Sequence, residues 1–220
     1  TMVDVAFEIG VDPQSTRALS HDYHHDLAEA LTLAWPQFTA LSDAGIHPLR
    51  LSAGAQALLS LRTRLTLRVP WAVPTRVVLV SGVPLAQLDD CLTLVGKRLD
   101  LSGCVLRLGS ARAHELLPWG TLYAHLVSSE AAPPDEADDE IAFMRKTYAE
   151  LDTLQVSCRV ICGRRQSVDG GRLVGHGLML DGLSSAHALR MLDAGLGPHR
   201  RLGCGIFVPH KSAAAVGTPY

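Results

Sequence analysis

Apolar and polar positions alternate from the first residues of this chain. MVDVAFEI, Met2 to Ile9, is rich in β-branched and apolar residues and reads as a first strand. The period then changes. From Asp22 to Trp35 the apolar residues fall at Leu27, Ala30, Leu31, Ala34 and Trp35, a helical spacing that Pro36 ends. Ile46 to Leu51, Thr63 to Val69 and Arg76 to Val80 read as strands. Pro84 to Val95 reads as a second helix, with Leu85, Leu88, Leu92 and Val95 in register. Arg98 to Leu101 and Cys104 to Leu108 form a predicted hairpin around Ser102 and Gly103. The order is that of a β-α-β-β-α-β unit.

A second pass of the same kind follows. Thr121 to Ser128 is a predicted strand, and AAPPDEADDE a Pro-rich acidic loop. Glu140 to Thr153 is a predicted helix, and Val156 to Ile161 and Arg172 to Leu180 are predicted strands. Ser184 caps a helix that runs to Leu192, and Cys204 to Val208 is the last strand. The element order repeats without a visible sequence repeat. The predicted fold class is therefore α+β, as two tandem ferredoxin-like (RRM-like) βαββαβ halves joined near residues 110–118. The expected domains are 1–112 and 113–220.

Composition narrows the class. Hydrophobic residues make up 47% of the 220, enough for packed cores, and no run of 18 apolar residues offers a membrane span. No charged-then-apolar leader opens the chain, so a cytoplasmic protein is expected. Cysteines at 91, 104, 158, 162 and 204 form neither a disulfide framework nor a zinc set. The net charge of −2 is unlike a generic nucleic-acid binder, but its distribution matters more. Residues 130–152 hold eight acids against Arg145 and Lys146, whereas 155–211 hold eight bases against Asp169, Asp181 and Asp193. Cations gathered on one part of a chain suit a polyanionic ligand.

Two stretches carry candidate chemistry. In AGLGPHRRLGCGIFVPHK, Ala194 to Lys211, the glycines Gly195, Gly197, Gly203 and Gly205 flank Arg200 and Arg201. Glycine lets backbone amides approach a phosphate, and arginine forks onto phosphate oxygens. His199 and Lys211 lie close by. The local alternative is a helix C-cap glycine followed by a tight hairpin. A dinucleotide fingerprint is excluded, because Arg200 stands where the third glycine should be. Arg164 and Arg165 add a second basic pair, or else a charged hairpin tip. The other stretch is His21, His24 and His25, with Asp22, Tyr23 and Asp26 between them. Imidazole exchanges protons near neutrality. The alternative is a solvated helix N-terminus capped by Asp22. His47 is a further candidate or an ordinary strand histidine.

The C-terminal run from Gly171, GRLVGHGLMLDGLSSAHALRMLDAGLGPHRRLGCGIFVP, resembles the CRISPR-associated endoribonucleases that cut precursor CRISPR RNA at its repeats, the sixth Cas protein family of the RAMP superfamily. LSHDYHHDLAEALTLAWP, Leu19 to Pro36, is similar to that family's first helix and entry loop. The family commonly has histidine where this chain has Tyr23, or a turn later, where it has Ala28; Asp22 matches the common aspartate. The resemblance implies a metal-independent cut by the RNA 2′-hydroxyl, without a cofactor, leaving a 5′-hydroxyl and a 2′,3′-cyclic or 3′ phosphate. It implies catalytic roles among His24, His25, His21 and Tyr23. It also implies RNA binding by the loop residues Gly195, Gly197, His199, Arg200, Arg201, Gly203 and Gly205, and the charges of Arg164, Arg165 and Lys211 add them as expected RNA contacts. The expected partners are CRISPR repeat RNA, with a stem-loop, and other Cas subunits of an effector complex. A non-catalytic RAMP subunit that binds the same RNA is the alternative, and a ferredoxin-like nucleotide binder a remoter one.

Overall fold

The computed structural model describes residues 2–52, 63–70, 90–129 and 136–211. The chain divides into two compact units, Thr1–Glu115 and Leu116–Tyr220. The predicted strand at 76–80, and the predicted helix before residue 90, lie outside the described residues. Residues 90–92 are helical and 93–96 turn.

In the first unit, β1 (Met2–Val11) is followed by α1 (His24–Ala34), β2 (Gly45–Ile46), β3 (Arg64–Pro70), β4 (Arg98–Leu101) and β5 (Cys104–Glu115). The strands lie antiparallel in the order β2-β3-β1-β5-β4. Alternation does the sorting: Val3, Val5 and Phe7 meet Val69, Leu67 and Leu65 on one face. Leu27 and Leu31, one helical turn apart on α1, join that core. The even-numbered residues of β1 and β3, among them Asp4 and Arg68, take the opposite face.

The second unit runs β6 (Thr121–Ser128), α2 (Glu136–Thr153), β7 (Arg159–Val168), β8 (Leu173–Asp181), α3 (Ser185–Ala194) and β9 (Phe207–Pro209). Its sheet has the order β7-β8-β6-β9, also antiparallel. The first and third strands of the βαββαβ run are thus the central neighbours, as in a ferredoxin-like sheet. In the first unit β5-β1-β3-β2 repeats this order, with β4 added at the edge by its hairpin. Phe143 and Leu151 of α2, and Ala188, Met191 and Leu192 of α3, pack on Leu122, Ala124, Leu178, Leu180 and Phe207. Among the described residues no helix is long and apolar enough to cross a membrane.

Several boundaries differ from those expected, for physical reasons. β2 stops at Ile46 because Pro48 has no amide to continue the ladder. β5 runs past residue 108 to Glu115: Ala111 packs against the core, and Arg112 and His114 pair opposite Ala6 and Asp4. α2 begins at Glu136, four residues before the expected start. β7 continues to Val168, so Arg164 and Arg165 lie in mid-strand rather than at a hairpin tip; the turn is at Asp169–Gly171. β9 starts only at Phe207, since Cys204 to Ile206 belong to the preceding loop. Ser184 caps α3 as expected, accepting a hydrogen bond from the amide of His187.

The loop after α3 is closed by backbone contact. The Leu196 amide donates to the Gly205 carbonyl at 3.2 Å, and the Gly205 amide donates to Leu126 of β6 at 2.7 Å. A Cβ on Gly205 would lie 1.9 Å from the Leu196 carbonyl oxygen, and one on Gly195 would lie 2.4 Å from the Gly205 carbonyl oxygen. Both glycines also have positive φ, 68° and 66°. Gly205→Ala should therefore destabilise the protein by about 2 kcal/mol or more, combining left-handed strain with a backbone clash. Urea unfolding of the two proteins checks this; a change under about 0.5 kcal/mol would show that the loop yields freely.

Candidate functional site

The histidine cluster sits where a loop enters α1. Tyr23, not Asp22, is the N-cap, with no side-chain cap hydrogen bond of its own, and the Asp22 amide donates to Ser20 Oγ at 3.0 Å. Tyr23 is 5% exposed, and its hydroxyl oxygen accepts a 2.6 Å hydrogen bond from the amide of Leu49. That bond ties the helix entry to the segment after β2. The ring of His24 stacks on Tyr23 at 4.2 Å, nearly parallel at 15°. His24 and His25 are half-buried on the first turn, and His21 is exposed ahead of it. Because His21 precedes the helix, the spacing of four does not put it on one helix face with His25. Among the described residues no group of three or more His, Cys, Asp or Glu is placed to hold a metal ion.

The opposite face of the first sheet holds a polar network. Arg68, wholly buried, binds Asp4 in a fork, Nε to Oδ1 at 2.8 Å and Nη2 to Oδ2 at 3.1 Å. His47 Nε2 lies 3.0 Å from Asp4 Oδ1, and the His47 amide donates to Thr66. Burial pushes the Asp4 carboxyl up, but hydrogen bonding and charge from His47 and then Arg68 outweigh it, holding Asp4 well below the usual carboxylate range. His47 is thus an imidazole oriented by a carboxylate. Sequence alone showed His47 but not its partners. Arg68 is one base among several in RTRLTLRV, and nothing in the alternation marks it as the buried one.

In the second unit the glycine-rich loop runs from the C-cap Gly195 to Ile206. Arg200 turns back: its Nη1 donates to the carbonyls of Asp193 at 2.9 Å and Ala194 at 2.6 Å. A cation there complements the C-terminal end of the α3 dipole. Arg201 is half-buried on the same short turn, between His199 and Gly203, both in left-handed backbone. The amide of Gly197 donates to Glu150 Oε2 of α2 at 2.9 Å, so a carboxylate already lies on a loop amide. Glu150 went unnoticed in the sequence, where it is one acid of an acidic stretch. Arg164 and Arg165 are exposed on β7 beside a bulge, and Lys211 is exposed after β9. His176, within the strand GHGLML, is buried against Phe143 at 4.5 Å with Nδ1 3.1 Å from the Gly163 carbonyl.

Comparison with known proteins adds a family. The model of the family described as Cas6, Cas6 Crispr, matches residues 3–212. The chain is 34% identical over 197 residues to the CRISPR-associated endonuclease Cas6 of Myxococcus xanthus (strain DK1622), covering 89% of this chain and 78% of that one. Among solved structures it is similar to an RAMP protein binding different RNA substrates, with TM-score 0.58 and 11% identity over 94% of this chain and 99% of the other. A CRISPR associated protein Cas6 superposes with TM-score 0.57 and 10% identity, over 96% and 100% of the two chains. At these identities the likeness is one of fold.

The Asp4 network generates a pH prediction. The folded-state pKa of Asp4 lies below the unfolded value of about 3.9. The ionised carboxylate therefore contributes stability in full above about pH 4, and that contribution is lost as pH falls through the depressed folded value. Asp4→Asn removes the carboxylate paired with the buried Arg68 charge and should cost about 3 kcal/mol near neutrality. The gap to wild type should narrow below about pH 4, as read by urea unfolding across the acid range. A gap independent of pH would mean that the Asp4 charge does not stabilise the fold.

Proposed function

The chain belongs to the Cas6 family of CRISPR proteins, and on that premise we propose that it is a metal-independent endoribonuclease that cuts CRISPR repeat RNA in precursor transcripts to give mature guide RNA. The observation that carries the catalytic reading is the set of imidazoles at the entry of α1, His24 and His25 on its first turn and His21 just before it. Tyr23 supports them from below, as the buried ring on which His24 stacks.

RNA brings its own nucleophile. One imidazole takes the proton of the 2′-hydroxyl as its oxygen attacks the adjacent phosphorus. The bond from phosphorus to the 5′ oxygen breaks, and a second acid returns a proton to that oxygen. The products are a 2′,3′-cyclic phosphate and a 5′-hydroxyl. Charge on the five-coordinate phosphorus is offset by cations and N–H donors. Nothing in this sequence of bonds requires a metal ion. His24 and His25 are the proposed acid–base pair, with His21 as the exposed third imidazole.

Binding is proposed for the basic residues of the second unit. Arg164, Arg165, Arg201, His199 and Lys211 are the phosphate contacts. Arg200 and the glycines Gly195, Gly197, Gly203 and Gly205 hold the loop that presents His199 and Arg201. The Glu150 carboxylate on the Gly197 amide favours this division, since a phosphate there would meet a negative charge. The stem-loop product stays bound after the cut, as in a protein that hands its guide RNA to a larger Cas assembly.

The test is incubation with repeat RNA from the neighbouring CRISPR array in the presence of chelator. Cutting should persist, and 2′-deoxyribose at the cut site should leave the RNA bound but intact. His24→Ala combined with His25→Ala should slow cutting by roughly 10²- to 10⁴-fold with little change in affinity. Cutting of the deoxy substrate, or an absolute need for a divalent ion, would refute the mechanism. A double variant with the normal rate would move the acid–base role to His21 or His47.

Phosphate contacts are read separately, by salt titration. Arg164→Ala with Arg165→Ala should make the dependence of log affinity on log salt shallower by about 1.4 to 1.8, at about 0.7 to 0.9 per lost contact. Equal slopes would take the RNA path away from β7.

A further inference from the structure

The helices α2 and α3 cover only one face of the second sheet. Leu122, Ala124, Leu178, Leu180 and Phe207 point toward them, so strand alternation turns their neighbours to the other face. There the register sets four apolar residues in one row across all four strands. Ile161 pairs with Met179, Met179 with Tyr123, and Tyr123 with Val208. Ile161 is 39% exposed, and the other three are half-buried.

Tyr123 reaches diagonally along this face. Its hydroxyl oxygen lies 3.1 Å from the place a Cβ on Gly177 would occupy, so the ring lies over a position that has no side chain. Gly163 of β7 lies beside Gly177, and the Gln166 side-chain amide comes within 3.4 Å of the same point over Gly177. The ring of His210 comes within 5.7 Å of Tyr123, tilted by 53°. The far end of the face is closed by Leu126, Leu173 and Cys204, with Leu202 from the turn that carries Arg201. Arg159, two residues before Ile161, and exposed Lys211, next to His210, border the row, while the acids nearby, Asp181 and Asp169, are ion-paired with Arg159 and Arg172; Arg165 pairs opposite His176 and takes the helix-covered face.

We propose that this face is a stacking platform for unpaired nucleotides of the repeat RNA, with a base against Tyr123 and its ribose over Ile161 and Met179. The proposal rests on the RNA-processing function proposed above and names a second part of the RNA, distinct from the phosphates proposed for the glycine-rich loop. Aromatic residues on the open face of a βαββαβ sheet present flat surfaces to splayed bases, and every base has a face that can stack there. Charge decides between RNA and protein as the occupant: cations border the row, and the local acids are neutralised within the fold. Size agrees, because a row one residue deep matches a nucleotide step better than the ~800 Å² per side of a stable protein interface.

The experiment measures equilibrium binding of repeat RNA that carries 2′-deoxyribose at the cut site. The RNA is used both as the bare stem-loop and with its single-stranded flanks, against wild type, Tyr123→Leu and Ile161→Ser. Tyr123→Leu keeps apolar bulk but removes the π face. It should weaken binding of the flanked RNA by roughly 5- to 100-fold, the effect of one lost base stack. The advantage of flanked over bare RNA should shrink accordingly. Ile161→Ser, at an exposed position, should lose part of that advantage and decides the matter if Tyr123→Leu does not fold. A wild type that cuts repeat RNA while folded variants keep the full flank advantage overturns the platform alone. A wild type that neither binds nor cuts repeat RNA overturns the RNA-processing reading and the platform with it.

Discussion

Backbone lies directly on backbone where the segment after α3 doubles back, and the contact between Leu196 and Gly205 leaves room only for hydrogen on the α-carbon. The course of the loop follows from that crossing. With Leu196 bonded to Gly205, and Gly205 to Leu126, the turn bearing Arg200 and Arg201 is held against the sheet at one place. Arg200 then meets the last carbonyls of α3, and Glu150 meets the Gly197 amide. The positions of Gly195 and Gly205 are thus accounted for by the fold itself.

A comparable economy holds at the entry of α1, where no capping side chain fixes the helix start. The buried Tyr23 does so through the amide of Leu49, and gives His24 a flat surface to rest on. Two residues before Leu49, His47 is held by Asp4, which Arg68 holds in turn. One short segment after β2 therefore joins a stacked imidazole on one side to a carboxylate-bound imidazole on the other.

Much of this fold could be read from residue order because the relevant forces are local. β6 lies where alternation put it, and Ser184 caps α3 because its hydroxyl meets an amide three residues on. The α+β class followed from the order of such elements, and membership of the Cas6 family agrees with the resemblance of the glycine-rich segment. What alternation could not convey was long-range. Nothing local tells that Arg68 is wholly buried, that Glu150 bonds an amide 47 residues away, or that Arg200 folds back on its own helix. The candidate residues could be named by type, but the division between those that hold the loop and those that face outward depends on contacts made only after folding.

β7 has one more consequence, for the behaviour of the protein among copies of itself. It is the edge strand of its sheet, ten residues long, with one row of amides and carbonyls that no neighbouring strand takes up among the described residues. A flat, apolar edge of that length is a template for another chain. Here the register breaks between Cys162 and Arg165, and the break carries two adjacent guanidinium groups. The irregularity bends the strand away from a straight ladder, and two like charges oppose the approach of the same pair on a second molecule. Where RNA is scarce, the residues proposed to meet its phosphates thus also guard the sheet against growing by one strand too many.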